Sequence, residues 1–303
     1  MFVATLVASA ALSQRDIEDA VARLATAGCA PVDSKWLDEG KAADIFFGGD
    51  AVLARAALTG IGDRIDVIVQ LAEGREKKLL IADMDSTMIT VECIDELADY
   101  AGIKPQIADI TERAMRGELD FAGALHERVA LLKGLADEAI DRCRTERVRI
   151  MPGAGALVRT MKARGAETLL VSGGFTRFTG PVAEEIGFDR AVANVLEIAD
   201  GALVGTVTLP IVDASRKRAE LEAAIEAGID RALTLAVGDG ANDIPMIQGA
   251  GLGVAYHAKP KTREAAAAEI VYGDLSVLLY AQGISSAEWV KAQSLSDSDR
   301  DGI

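Results

Sequence analysis

Four short apolar runs, each broken off by polar residues, limit what this chain can fold into. Leu79-Leu80-Ile81-Ala82 runs into Asp83, and Thr168-Leu169-Leu170-Val171 runs into Ser172-Gly173-Gly174. Leu233-Thr234-Leu235-Ala236-Val237 runs into Gly238-Asp239-Gly240, and Gly253-Val254-Ala255-Tyr256 into His257-Ala258-Lys259-Pro260. Runs without polar alternation predict strands buried on both faces, as in a parallel sheet with helices between its strands. In such sheets ligands bind beyond the carboxyl ends of the strands. Here those ends carry the polar residues.

The first 75 residues have a different rhythm. Phe2 to Ala8 reads as a strand, and Gln14 to Ala27 as a helix with Ser13 as its N-cap and Ile17, Val21 and Leu24 on one face. Two short strands follow near 30–37 and 43–47, then a helix near 50–59 and a last strand at Ile65 to Val69. The order βαββαβ predicts a ferredoxin-like α+β sandwich over 1–75. The polar stretch Ala72 to Lys78 reads as a linker. A Rossmann-like α/β unit with a parallel sheet is expected over 76–284. Its insertion at about 90–149 reads as helical, with breaks near Gly102–Pro105, Gly117 and Gly134, and forms a natural lid. Residues 285–303 turn polar after Trp289 and are expected to be a disordered tail.

Composition narrows the partners. With 32 basic and 47 acidic residues the formal charge is −15, which repels a nucleic-acid backbone. An anionic substrate must therefore be caught by a local basic or metal-filled pocket. Cys29, Cys93 and Cys143 are odd in number, scattered and without a CxxC pair, which suits buried thiols in a reducing cytoplasm. Phe2 to Leu12 is apolar, but no Lys or Arg precedes it and it reads on into a helix, so no secretory leader is expected. No run of eighteen apolar residues predicts a membrane span.

Four constellations carry chemistry. Asp83-Met84-Asp85-Ser86-Thr87 places two carboxylates two residues apart, so they point to one side of an extended chain. One can attack as a nucleophile while the other moves a proton. Gly238-Asp239-Gly240-Ala241-Asn242-Asp243 adds two carboxylates and an amide, oxygen ligands that suit a hard cation such as Mg2+. Four carboxylates at one sheet edge repel one another unless a cation offsets them. Ser172-Gly173-Gly174 offers a hydroxyl and bare N–H groups for an anion, though such triplets also occur in ordinary turns. Lys217 can neutralise charge on a phosphoryl group, but Arg216 and Arg218 flank it, and a slipped register would turn one of them inward. There is no GxxxxGK[ST] loop and no GxSxG elbow. The two histidines, His126 and His257, read as lid-helix and loop residues.

Taken in this order, the elements resemble the haloacid dehalogenase superfamily, and within it the phosphoserine phosphatase family. Asp83 to Thr87 with Glu92 and Ile94 to Ala98 is similar to that family's opening motif, and Arg128 to Gly134 to its lid signature. Val171 to Phe175 and Val237 to Asp243 are similarly close, and the resemblance covers about 79–282. It implies that Asp83 is the nucleophile and Asp85 the proton donor and acceptor. It implies Mg2+ held by Asp83, Asp239 and the backbone carbonyl of Asp85, with Asp243 as a ligand or in support. Ser172, Gly173 and Lys217 would bind the phosphoryl group, Asn242 would bind substrate or help complete the metal site, and Glu92 and Arg128 would read the amino acid. Phe121 would wall the pocket or pack in the core. The departures are Met84, where an aromatic is frequent, and Thr90-Val91 before Glu92. The N-terminal unit resembles ACT-type domains in element order alone.

The expected activity is Mg2+-dependent hydrolysis of O-phospho-L-serine in the last step of serine biosynthesis, in the cytoplasm. The expected partner is that small substrate, with no nucleic acid or membrane, and with a homodimer formed through the N-terminal unit. The alternatives are phosphotransfer to another alcohol, or hydrolysis of another small phosphomonoester. A binding role, with the N-terminal unit sensing an amino acid above an idle second unit, is disfavoured by the full catalytic set.

Overall fold

The structure is a computed structural model and describes residues 1–62 and 64–291. The N-terminal unit contains β1 (Phe2–Ala8), α1 (Gln14–Thr26), β2 (Ala30–Asp38), β3 (Ala42–Gly48), α2 (Ala51–Leu58) and β4 (Ile65–Leu71). Its strands form one antiparallel sheet in the order β2-β3-β1-β4. Ser13 starts α1 with a capping box: its Oγ accepts from the Asp16 N–H while the Asp16 carboxylate accepts from the Ser13 N–H. Ile17, Ala20 and Leu24 then face the sheet and pack with Leu6, Ile45 and Phe47. This is the ferredoxin-like arrangement that the element order predicts.

The second unit opens with β5 (Leu79–Ala82) and then the lid helices α3 (Cys93–Tyr100), α4 (Lys104–Met115), α5 (Phe121–Leu131) and α6 (Glu138–Arg147). The core resumes with α7 (Ala154–Ala163), β6 (Glu167–Phe175), α8 (Thr176–Ile186) and β7 (Arg190–Asn194). A hairpin, β8 (Leu196–Ala199) and β9 (Ala202–Val207), precedes α9 (Ala214–Glu226). The chain continues through β10 (Thr234–Gly238), α10 (Ile244–Gly249), β11 (Leu252–Tyr256), α11 (Pro260–Ala265), β12 (Ala268–Ile270) and α12 (Val277–Ala281).

Six of these strands form a parallel sheet in the order β12-β11-β10-β5-β6-β7. Its strands are buried on both faces, as their unbroken apolar runs require. Leu80, Ala82, Leu170, Leu235 and Val237 join one core, while Leu79, Ile81, Leu169, Val171 and Ala236 join the other. The winding reverses at β5, with β6 on one side and β10 on the other. Loops leaving β5 and β10 therefore diverge, and a crevice opens between them.

The lid leaves and rejoins the core through a short antiparallel contact. Ile89 bridges Ile150, Thr90 N–H donates to Arg149 O at 3.0 Å, and Met151 N–H donates to Met88 O at 2.9 Å. The β8–β9 hairpin grips the lid from the core side, through Gly134 N–H to Leu203 O at 2.8 Å and Leu203 N–H to Leu135 O at 2.9 Å. The stretch 72–78, read as a linker, is pinned at several points. Arg75 pairs with the buried Asp44 at 2.7 Å, and Lys77 Nζ donates to Gly74 O and Ala232 O.

The expected tail of 285–303 is corrected over its first residues. Ser286–Glu288 form a 3-10 turn, Trp289 packs edge-on against Tyr280 at 5.1 Å, and Val290 N–H donates to Thr160 Oγ1 at 2.9 Å. The aromatic anchor outweighs the polar composition there. Residues 292–303 lie outside the described residues. Among the described residues no helix is long and apolar enough to cross a membrane.

Candidate active site

The sheet itself fixes Asp83, whose N–H donates to Val237 O of β10 at 3.0 Å. Beyond it the chain turns tightly: the N–H groups of Thr87, Met88 and Ile89 all point back to Met84 O, and Ser86 adopts φ +55°. A serine in the left-handed region costs about 1–3 kcal/mol, so the surrounding bonds hold this turn against its own preference. Thr87 uses its hydroxyl to bond Asp239 Oδ1 at 3.2 Å, tying the β5 loop to the β10 loop.

Asp85 starts the lid. Its Oδ1 accepts from the N–H of Cys93, the first residue of α3, at 3.0 Å. The helix N-terminus thus finds its capping acceptor in Asp85, because Glu92 makes no capping bond of its own. The other carboxylate oxygen faces Ser172 Oγ at 3.4 Å. Ser172, fully buried in the C-terminal half of β6, accepts from Gly174 N–H at 2.8 Å. A Cβ at Gly174 would sit 2.8 Å from Asp85 Oδ2, so only glycine lets this part of β6 approach the carboxylate.

Lys217 settles the register question. It is fully buried on α9 and donates to Asp83 Oδ1 at 2.5 Å and to Asp243 Oδ1 at 2.7 Å. Arg216 and Arg218 turn outward to Glu220 and Glu222. The Asp213 side chain caps α9 through the Arg216 N–H, and this phase of the helix aims Lys217 inward. Asp243 is fully buried; its second oxygen accepts from Gly240 N–H at 3.0 Å, and a Cβ at Gly238 would lie 2.5 Å from its Cγ.

Carboxylate oxygens of Asp83, Asp239 and Asp243 lie within 4.8 Å of one another. Burial, reinforced by Asp243 and Glu92, raises Asp239 to about 7. Burial and then Glu92 raise Asp85 to about 6. Asp83 is pushed well up by burial and by Asp243, against the opposing pull of Lys217. Burial alone would lower Lys217, but Asp243 and Asp83 outweigh it and keep the ammonium charged. One buried lysine against three clustered carboxylates leaves an excess of negative charge. The donor set is all oxygen, which fits Mg2+ and not a softer metal.

This electrostatic excess gives a testable pH dependence. Acids with raised folded pKa values bind protons more tightly folded than unfolded. Their contribution to stability is full near the ordinary pKa of 3.8 and is lost as pH rises through the folded values of about 6 and about 7. The metal-free protein is therefore expected to melt at a lower temperature at about pH 7.5 than at about pH 5. Added Mg2+ should raise the melting temperature more at the higher pH, because binding requires deprotonated carboxylates. Thermal melts with EDTA and with Mg2+ at both pH values check this. An equal Mg2+ effect at the two values would contradict it.

Glu92 and Arg128 come from the lid. Glu92 is exposed and accepts from Ser86 Oγ at 2.7 Å. Arg128 is half-buried on α5, and its Nε donates to Ala124 O at 3.1 Å. Among the described residues no carboxylate lies within 4 Å of its guanidinium. Burial pushes Arg128 down, while Asp95, Glu92 and Asp85 pull the other way. Phe121 closes the pocket side of Gly173, where a Cβ would come within 3.1 Å of its ring. Asn242 stands beside the same glycine, its Nδ2 at 3.8 Å from that position.

Sequence reasoning missed Asn194. It is buried at the end of β7, donates from Nδ2 to Gly173 O at 2.8 Å and accepts from Val212 N–H at 2.7 Å. One amide thus ties the Ser172–Gly174 stretch of β6 to the segment that leads into the Lys217 helix. No local signal marks it, because both partners are distant in sequence.

The family description "haloacid dehalogenase-like hydrolase" matches residues 80–248. A phosphoserine phosphatase of a Polaromonas species is 50% identical over 208 residues, covering 67% of this chain and 88% of that protein. One from Streptomyces coelicolor is 45% identical over 253 residues, covering 83% of this chain but only 61% of that longer protein. The crystal structure of a probable phosphoserine phosphatase from Vibrio cholerae superposes with a TM-score of 0.74 at 34% identity, covering 92% of this chain and 88% of that one. The chain belongs to the haloacid dehalogenase-like hydrolase family.

Proposed function

We propose that this chain is a phosphoserine phosphatase, hydrolysing O-phospho-L-serine to L-serine and inorganic phosphate. One observation carries the chemistry: Asp83, gripped by Lys217, and Asp85, facing Ser172, leave the same strand end beneath a lid bearing Glu92 and Arg128. The phosphoserine phosphatases among its relatives support the substrate.

The steps follow from these positions. Asp83 attacks phosphorus, the bond from phosphorus to the serine oxygen breaks, and Asp85 gives that oxygen a proton. An aspartyl-phosphate at Asp83 remains. Asp85, now a carboxylate, takes a proton from water as the water attacks phosphorus, and the bond to Asp83 breaks to release phosphate. A folded pKa of about 6 suits a group that must act first as acid and then as base near neutrality. Ser172, the Gly173 N–H, Asn242 and Lys217 bind the phosphoryl oxygens. Asp83, Asp239 and the Asp85 backbone carbonyl would hold Mg2+, with Asp243 in support because it already accepts from Lys217 and Gly240. When bound, the ion neutralises carboxylate and phosphoryl charge.

Arg128 presents a guanidinium fork to the substrate carboxylate, and Glu92 pairs with the ammonium. Arg128→Ala is expected to cut kcat/KM for L-phosphoserine by about 100-fold, in line with loss of a charge-assisted bidentate pair, and for p-nitrophenyl phosphate by only a few-fold. Equal losses on both substrates would remove the carboxylate-reading role. Transfer to another alcohol would show as less free phosphate and a phosphorylated product when homoserine is added.

The reaction would complete serine biosynthesis in the cytoplasm. A homodimer would form through the N-terminal unit, by its helices or by the exposed edge strand β2 of its sheet. Light scattering that returns a single-chain mass at micromolar concentration would refute the dimer.

A further inference from the structure

The N-terminal unit reaches the second unit through an unusual bond set at Asp66. This residue lies on β4, is 3% exposed, and pairs in register with Val7 of β1. Its Oδ1 accepts from Val271 N–H at 2.8 Å and Tyr272 N–H at 3.2 Å, and its Oδ2 from Gly273 N–H at 2.7 Å. Among the described residues no Lys, Arg or His lies within 4 Å of this carboxylate. Three successive main-chain N–H groups of the other unit therefore carry its charge, an anion nest filled from within the same chain. Gly273 is required there, because a Cβ would meet Val277 Cγ2 at 2.4 Å and Asp66 Oδ2 at 3.0 Å.

The loop that Asp66 holds sits between two parts of the candidate site. On one side the Gly273 carbonyl bonds the His257 ring at 2.9 Å, and His257 N–H donates to Ile270 O at 2.9 Å. His257 adopts φ +44°, a left-handed conformation uncommon for residues other than glycine, and these two bonds hold it there. Two residues on, Lys259 N–H donates to Asp239 O at 3.3 Å. On the other side Leu275 N–H donates to Pro152 O at 3.2 Å, where the chain returns from the lid. Gly153 is packed so tightly there that a Cβ would come within 2.5 Å of Ser276 N.

We propose that Asp66 is a positioning residue for the active site. Through the 271–273 nest and His257 it sets the loop that carries Asp239, so the N-terminal unit is part of the scaffold of the metal-holding carboxylates. The proposal rests on the reading of Asp239 as one of those carboxylates.

The test uses full-length protein and a calorimetric titration with Mg2+ alone, beside steady-state kinetics. Asp66→Asn keeps the shape but turns an NH2 toward the nest. It is expected to weaken Mg2+ binding about 10-fold, as loss of an outer support does, and to lower kcat while KM for phosphoserine stays within about two-fold. Gln70→Leu is the control for plain loss of contact between the units. It removes the Gln70 Nε2 bond to Ala281 O at 2.8 Å, away from the loop, and should leave Mg2+ binding unchanged even if it lowers the melting temperature. Equal Mg2+ affinity in Asp66→Asn and wild type, or an equal loss in Gln70→Leu, overturns the proposal. Should Asp66→Asn not fold, His257→Asn decides: weaker Mg2+ binding supports the relay, and unchanged binding ends it. If wild type binds no Mg2+, or Asp239→Asn binds it as well as wild type, the fault lies in the metal reading and not in Asp66.

Discussion

Asp83→Asn is expected to reduce kcat on phosphoserine by at least about 10⁴-fold while leaving the metal-free fold as stable as the parent, or more so. The two halves of this expectation come from different physics. An amide has no charge and no free nucleophilic oxygen pair of comparable strength, so the covalent step is lost and binding alone remains. The fold, by contrast, gains relief. The Asp83 carboxylate is buried beside Asp243, Asp239 and Asp85, and its pKa is pushed well up because its charged form is disfavoured there. Asn keeps an oxygen that can accept from Lys217, and Lys217 keeps Asp243. Phosphate release from a freshly purified sample and thermal melting in EDTA measure the two halves. Substantial residual turnover would mean that another group attacks phosphorus. A large fall in melting temperature would mean that the Asp83–Lys217 pair supports the fold more than the crowding strains it.

The legible part of this molecule was written in short-range patterns. The strands β5, β6, β10 and β11 announced themselves as unbroken apolar runs, since burial on both faces leaves no polar position. The residues just past them then fell at the crevice as a matter of topology. The lid helices followed from their glycine breaks. Long-range closure was harder to read. Three basic residues in a row left the inward one open, and only the helix phase set by the Asp213 cap decided for Lys217. Asn194 joins partners about twenty residues away on either side, so nothing local marks it. The β8–β9 hairpin did carry a signal, the Asp200-Gly201 turn between alternating strands, which the reading passed over. The stretch after 285 looked polar, yet Trp289 and Tyr280 hold it to the core.

Removing the buried cation of the carboxylate cluster should be the most damaging change to stability. Lys217→Met keeps most of the side chain's length and an apolar stem but takes the ammonium away from Asp83 and Asp243, both of which are buried. Breaking a buried pair by deleting one partner costs about 3–5 kcal/mol, because the remaining charge is left uncompensated. Here two carboxylates are left, with Asp239 close by. They escape by taking up protons, so the loss should be largest at about pH 7.5 and smaller at about pH 5. Mg2+ should restore part of it, since the ion would supply the missing positive charge. Activity should still fall by about 100-fold or more even at saturating Mg2+ if, as proposed, Lys217 binds the phosphoryl oxygens, because nothing then replaces its ammonium. Urea unfolding with and without Mg2+ at both pH values separates these effects. A loss below about 1 kcal/mol at the higher pH would mean that the cluster is already neutralised by bound protons, and Lys217 would then serve the phosphoryl group and not the fold.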